Sequence, residues 1–573
     1  MVAAGGLARL SASVSLRTGV VLALARLAPQ QVTARLRDAH SIEQLVQLHS
    51  EHGASFNRFH FGAFWGGVKR LAPRERRWVL ANREALRPAC EQTARMLPEL
   101  GPREVASTAH ALAKARLHRG TPWEMVWEPL PMAASAGLRE MKPQELANTA
   151  WAFATVGHSE PSLFDELAGV AGAQLDDFNS QALANTAWAY ATAGHASREL
   201  FDAIALESAS RLDEFNSQEI ANLAWAYATA GHASPALFDA LAAEAVLQLE
   251  SFRAQELTNL VWAFASLGHP APHLFAQLAT QASAMLGRFT PQALANTAWA
   301  FATAGESAPA LFDAIAIETA ERGRDLASFQ PQNLANLVWA FAKAEHAAPA
   351  LFDAVAEESV SRDLGEFNAQ AMTNCLWAFA TAGHQSPALF TSLAAECARQ
   401  LHSFGPQALS ITAWACATAG HSSAELFDAL ATEAASQLGE FTEQALANTA
   451  WAYATSGHRA PLLFDAISAE AQRRLPGGLS PQALTNTAWA FATAAHGAPR
   501  LLEAIARESA ARLDEFTPQA LGNLAWAFAA ARVAPPHLFD VLADEAAARY
   551  PLLPPLTPPY PPLTPPYTPL HPL

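Results

Sequence analysis

Apolar residues recur along most of this chain at helical spacing, in phrases that nearly copy one another. In residues 290–320 (TPQALANTAWAFATAGESAPALFDAIAIETA), Leu294, Ala298, Trp299, Phe301 and Ala302 form one apolar stripe. Leu311, Phe312, Ile315 and Ala316 form a second. A period near 3.6 predicts two amphipathic helices. Thr290 before Pro291 predicts the first start, a hydroxyl at the N-cap followed by a ring whose missing N–H costs nothing there. Gly305 predicts a left-handed stop. Ser307 and Pro309 predict the second start, as do the pairs Ser234-Pro235 and Ser386-Pro387 elsewhere. The turn that follows carries a phenylalanine (Phe215, Phe252, Phe289, Phe329) expected to pack under the next repeat.

The phrase is timed by tryptophan. Trp151, Trp188, Trp225, Trp262, Trp299, Trp339, Trp377, Trp414, Trp451, Trp489 and Trp526 are separated by 37, 37, 37, 37, 40, 38, 37, 37, 38 and 37 residues. A fixed period of this length predicts an all-α fold, a right-handed α-solenoid of helix-turn-helix repeats. The extra residues fall in ERGRDLASF, RDLGEF and RRLPGGLS, always after the second helix, which marks that loop as surface.

Four segments follow. Residues 1–37 hold no acid but carry Arg9, Arg17, Arg26, Arg35 and Arg37, with Ser11, Ser13 and Ser15 between. That composition predicts an organelle transit peptide, for the mitochondrial matrix or the chloroplast stroma. Residues 38–140 read as degenerate, basic N-terminal repeats closing the array: GPREVASTAHALAKAR matches KPQELANTAWAFATV, with His110 at the Trp position and Ser107 at the Asn position. Residues 141–550 hold the eleven clear repeats. Residues 551–573 repeat PLTPPY and predict polyproline II or disorder.

Charge divides the same way. Residues 1–140 carry 19 Lys+Arg against 11 Asp+Glu; residues 141–573 carry 18 against 42. An acidic array argues against a nonspecific grip on phosphate, so acids lining the binding surface would exclude nucleic acid and acids elsewhere would not. No window is long and apolar enough for a membrane span. Cys90, Cys375, Cys397 and Cys416 lack metal or disulfide spacing and read as core residues. No nucleophile elbow, P-loop or metal-ligand motif appears, so no catalysis, metal or cofactor is expected.

The polar positions inside the repeat are therefore the candidates. Gln144, Gln181, Gln218, Gln255, Gln292, Gln332, Gln370, Gln407, Gln444, Gln482 and Gln519 stand seven before the tryptophans. Asn148, Asn185, Asn222, Asn259, Asn296, Asn336, Asn374, Asn448, Asn486 and Asn523 stand three before, with Ile411 the exception. Four residues apart, these amides share a helix face and predict ladders. The preferred reading is a buried, structural ladder; the other is an amide-lined surface meeting RNA backbone or base edges. Two positions vary. Lys142, Asn179, Asn216, Arg253, Thr290, Gln330, Asn368, Gly405, Thr442, Ser480 and Thr517 stand two before the glutamine, and Thr258, Thr373, Ser410 and Thr485 stand just before the asparagine. Changing side chains at a fixed station are what per-repeat base reading needs, while Asn, Thr and Ser also suit helix capping. The tryptophans are expected in the core. The recurrent histidine seven after each Trp is expected at a helix end, and the Asp of LFDA on a solvated face.

The pattern Q-x-L-A-N-x-x-W-A-F/Y-A with LFDA resembles the octotricopeptide-repeat proteins of organelles, and is similar to the helical region of FAST-kinase-like and RAP-domain proteins. The period is mostly 37 and no RAP module follows. The resemblance implies sequence-selective binding of single-stranded organelle RNA (mRNA or rRNA), serving its processing, stability or translation, over about 11 nucleotides at one base per repeat. An acidic scaffold for protein partners is the alternative.

Overall fold

The computed structural model describes residues 27–549 apart from 159, 196, 322–324, 534 and 536. The first 26 residues of the expected leader and the PLTPPY tail lie outside the described residues. Among the described residues every regular element is helical, and the helices pair into consecutive repeats, an all-α solenoid architecture. None is long and apolar enough to cross a membrane. The chain divides into two units, residues 1–274 and 275–573.

In residues 1–274 the first helices Arg58–Leu71, Pro102–Lys114, Pro143–Val156, Ser180–Ala193, Ser217–Ala230 and Ala254–Leu267 each pack on the next. The second helices Leu130–Gly137, Pro161–Gly172, Arg198–Ala209 and Pro235–Leu247 form a parallel row behind them. The folded part starts earlier than residue 38. Helix Pro29–Asp38 lies largely inside the expected leader, yet it buries Val32 and Leu36 and packs on Arg58–Leu71. In residues 275–573 the first helices Pro291–Ala304, Pro331–Lys343, Ala369–Ala382, Pro406–Thr418, Glu443–Ser456, Pro481–Thr493 and Pro518–Ala530 repeat the arrangement.

Alanine makes the first-helix rows possible. Ala184, Ala187, Ala221 and Ala224 are fully buried, and side chains this small let neighbouring helices approach closely. Phe153, Tyr190 and Tyr227 fill the space toward the second helices, with the Tyr190 hydroxyl donating to the Phe164 carbonyl and that of Tyr227 to Phe201, both at 2.6 Å. The turn phenylalanines Phe215, Phe252, Phe289 and Phe329 are buried as expected. The four cysteines are buried, and burial raises the thiols of Cys90, Cys375 and Cys416 to about 12.

Two further devices join consecutive repeats. Most of the recurrent histidines meet the LFDA-type aspartate of the preceding repeat, as His195 with Asp165 at 2.9 Å, His232 with Asp202 at 2.8 Å, His384 with Asp353 at 2.8 Å and His458 with Asp428 at 2.8 Å; His158 stacks on Trp127 instead, and His421, opposite Thr391, stacks on Phe390. The helix-end residue and the solvated acid are thus partners. Where Ala276 replaces the aspartate, Glu306 replaces the histidine, so the pair is lost together. At the end of the second helix, Arg474 donates to the Phe441 carbonyl at 2.6 Å and to Leu438 at 3.0 Å, carbonyls of the previous turn. Its partner Glu470 is held down to about 2 by hydrogen bonds from Arg473 and then Arg474, which outweigh burial.

The starts and stops of the first helices follow the sequence; the second helices start at the expected prolines but without the expected hydroxyl cap. Ser234 and Ser386 make no side-chain cap, and Pro309 is preceded by Ala308 rather than by a capping Ser307. Proline at N1 fixes those starts without a hydroxyl. First helices end in left-handed glycines such as Gly157 (φ 73°) and Gly457 (φ 68°). Ala495 takes the same conformation at φ 50°, where its Cβ is strained. Ala495→Gly should raise stability by about 1 kcal/mol, read as a higher denaturation midpoint; a lower midpoint would contradict this account of the turn.

Candidate nucleic-acid interface

The open face of the first-helix row in residues 1–274 holds a cleft of about 660 Å³, within the roughly 300–1,000 Å³ of ligand sites. First helices alone line it: Gly62, Gly66 and Lys69 from Arg58–Leu71, Arg103, Ser107, His110 and Lys114 from Pro102–Lys114, then the amides of the next three with Trp151 and Trp188. One residue offset aligns its N-terminal end. Gly62, Arg103 and Gln144 are each 41 apart, as are Gly66, Ser107 and Asn148, and Lys69, His110 and Trp151. Three stations therefore run along the face. Going toward the N-terminus, Gln gives way to Arg and then Gly, Asn to Ser and then Gly, Trp to His and then Lys.

The amides of Gln144, Asn148, Gln181, Asn185, Gln218 and Asn222 make no side-chain hydrogen bond to another described residue, and all six are exposed or half-buried. The structural ladder expected from the sequence is present elsewhere. In residues 275–573 Asn336 and Asn374 are buried, Gln332 donates to Asn336 at 3.1 Å, and Asn374 donates to the same oxygen at 3.3 Å. The ladder is thus structural in one stretch and open in the other.

The tryptophans also divide. Trp299, Trp339, Trp377, Trp414 and Trp451 are buried as expected. Trp151, Trp188 and Trp225 are half-buried, and they form a staircase with ring centroids 6.2 and 6.3 Å apart at 28°. His110 caps the staircase edge-on to Trp151 at 5.1 Å, and the Lys114 ammonium lies 5.8 Å from the same ring.

Electrostatically the cleft is positive. Lys69, Arg103 and Lys114 face a single carboxylate, Glu145, whose oxygen already accepts the Lys142 backbone N–H at 3.0 Å. Burial, then Lys69 and Lys114, holds the His110 imidazole down to about 4. Burial, then Lys114, lowers Lys69. Acids of the second helices pair away from this face, as Glu207 with Arg211 and Asp202 with His232. The charge objection raised by the sequence therefore does not apply to this face.

The variable stations are helix N-caps. Asn179, Asn216, Thr290, Asn368, Thr442, Ser480 and Thr517 each accept a backbone N–H of their own helix, so capping engages those side chains. Lys142, Arg253 and Gln330 make no such bond and are exposed. The station before asparagine is buried: Thr258, Thr373 and Thr485 donate to the carbonyl four residues back, and Ser410 donates to Ala445 on the adjacent helix at 3.0 Å. These four lie between helices and are engaged there, although Thr485 also borders a cleft. In residues 275–573 a smaller cleft of about 250 Å³ brings together Ser480, Gln482, Thr485, Asn486, Thr517, Gln519 and Asn523. Sequence reasoning missed Lys69, Arg103 and Lys114; carrying the 41-residue offset back one more helix finds the first two as station residues, and Lys114 lies one turn beyond His110.

A family model described as RNA-editing substrate-binding complex 6 protein matches residues 92–305 and again 306–536. The match agrees with an RNA-associated helical-repeat protein and does not itself name the octotricopeptide-repeat proteins that the repeat phrase resembles. No curated protein matches the chain. Among solved structures, a homology model of the full-length AP-3 complex in an intermediate open conformation is similar at 10% identity over 95% of this chain and 99% of that one, with a TM-score of 0.28, too low to support any argument.

The His110 environment has a measurable consequence. Its folded-state value lies below the ordinary 6.5, so between about pH 6.5 and 4 the unfolded chain binds the proton that the folded chain refuses. Stability from this group is present above 6.5 and lost as pH falls toward 4. An NMR titration should place the His110 midpoint near 4, and Lys69→Gln with Lys114→Gln should raise it; a midpoint near 6.5 in the native chain would contradict the description.

Proposed function

The chain belongs to the RNA-editing substrate-binding complex 6 protein family, and on that footing we propose that it is a non-catalytic component of such a complex that binds single-stranded RNA on the open face of its first helices. One observation carries the reading. Six unpaired amides, a staircase of half-exposed indoles and three cations share one face with a single, already engaged carboxylate.

Each element has a role in that reading. Single-stranded bases expose π-faces and hydrogen-bonding edges, and proteins recognise them by stacking on aromatic rings and by polar side chains. Trp151, Trp188 and Trp225 offer the rings; Gln144 to Asn222 offer paired donors and acceptors to sugars or base edges. An invariant ladder cannot encode sequence. Selectivity falls to the exposed N-caps that no capping bond engages, Lys142, Arg253 and Gln330, so the number of bases read is smaller than one per repeat. The acid-free, arginine- and serine-bearing composition of residues 1–37 supports action within an organelle, in processing, stability or translation of its RNA. Protein partners in the complex would meet the second helices, where the exposed Leu206 and Leu247 stand among acids.

Selection from a random single-stranded RNA pool near physiological salt should enrich a short motif, and Arg253→Gln should change one of its positions. Trp188→Ala should weaken binding by about 5- to 150-fold, the range of one base–aromatic stack. Gln181→Ala with Asn185→Ala should cost about 5- to 100-fold, as for two neutral hydrogen bonds. Thr373→Val, at a buried hydroxyl that lines neither cleft, should leave affinity unchanged. An absence of RNA binding, or equal binding by the native chain and Trp188→Ala, would remove the proposal.

A further inference from the structure

Helix Arg58–Leu71 contains three glycines at its middle, and they differ in purpose. A Cβ on Gly67 would lie 2.9 Å from Leu45 Cδ1 and 3.4 Å from the Leu36 carbonyl, so packing requires that glycine. A Cβ on Gly62 or Gly66 would meet nothing within 4 Å. Both are in the helix interior, where glycine weakens the helix relative to alanine, and nothing in the fold compensates. Both line the cleft. Bare helix backbone is what a site uses where a ligand must approach the main chain closely.

The cations beside that floor are also exceptional. Arg211, Arg362, Arg474 and Arg512 are each paired with a glutamate four residues earlier. Lys69, Arg103 and Lys114 pair with no carboxylate among the described residues, although they converge on one cleft. They stand where the neighbouring repeats carry neutral amides, or beside the tryptophan station. All three stations thus change together from base-like chemistry to charge and bare backbone.

We propose that Gly62 and Gly66, with Lys69, Arg103 and Lys114, form a phosphodiester anchor: the sugar–phosphate backbone of single-stranded RNA lies on the bare helix, its phosphates on the three cations, and the adjoining bases continue onto the amides and indoles. The anchor fixes the register of the strand on the face. It rests on the RNA reading above, but it names which part of the face holds backbone rather than base.

The test uses the full chain and a mixed-sequence single-stranded RNA of about 20 nucleotides, followed by fluorescence anisotropy across salt. Gly62→Leu with Gly66→Leu should leave the denaturation midpoint equal or higher and weaken RNA binding at least tenfold. Lys69→Gln, Arg103→Gln and Lys114→Gln together should flatten the slope of log affinity against log salt by about 2, as for three single-strand phosphates. If the leucine pair binds as the native chain does while Trp188→Ala is weakened, the RNA face stands and the anchor is overturned. If the native chain binds no RNA, both fall. A polyglutamate peptide bound as tightly as RNA would also overturn the anchor. Should the leucine pair lower the midpoint, the glutamine triple decides: an unchanged salt slope overturns the proposal.

Discussion

Close stacking of first helix on first helix is the constraint on which the rest depends. It requires alanine at the facing positions, and Ala184, Ala187, Ala221 and Ala224 are buried completely there. A row built this tightly has little volume of its own, so the aromatics of one side must complete the core against the second helices. The opposite side is left open. Whatever polar residue stands there is repeated once per helix and becomes a row of identical groups at nearly constant spacing. The interface chemistry is a consequence of the packing.

The same constraint sorts charge. The alanine-faced middles of the first helices carry no charge, and the acids of residues 141–573 stand in first turns, such as Glu145 and Glu219, or on second helices and turns, where several have histidine or arginine partners such as His232 and Arg474. Net charge therefore describes the back of the repeats. The open face in residues 1–274 has the opposite character at its N-terminal end, where burial and then the cations Lys69 and Lys114 lower the His110 imidazole, and burial and then Lys114 lower Lys69. An anion there relieves repulsion that the fold leaves in place.

Much of this was legible in the sequence. The helix pair, its proline starts, its glycine stops and the buried turn phenylalanines follow from short-range chemistry that each repeat states again. The amide and capping stations were harder because one side chain serves two ends. Asn179 reads as a base contact or as a cap, and only geometry shows that the cap engages it. Thr258 and Thr485 stand one residue, about 100°, around the helix from the asparagine, which turns them into the helix interface. The tryptophans were expected in the core throughout, yet Trp151, Trp188, Trp225 and Trp489 are half-buried and Trp526 is exposed. The N-terminal cations escaped notice because their helices carry Lys69 and His110 at the tryptophan station and their offset is 41 instead of 37. The start at Pro29 was hidden by a basic composition that suits a leader and an amphipathic helix equally.

The central claim is that RNA lies on the open face of the first helices. Photocrosslinking of the full chain to 4-thiouridine-substituted single-stranded RNA, with the attachment sites read by mass spectrometry, tests it most directly. The account predicts crosslinks at Lys69, His110, Trp151 and Trp188, on helices Arg58–Leu71 to Ser180–Ala193. Crosslinks confined to second helices such as Arg198–Ala209 and Pro235–Leu247 would contradict it.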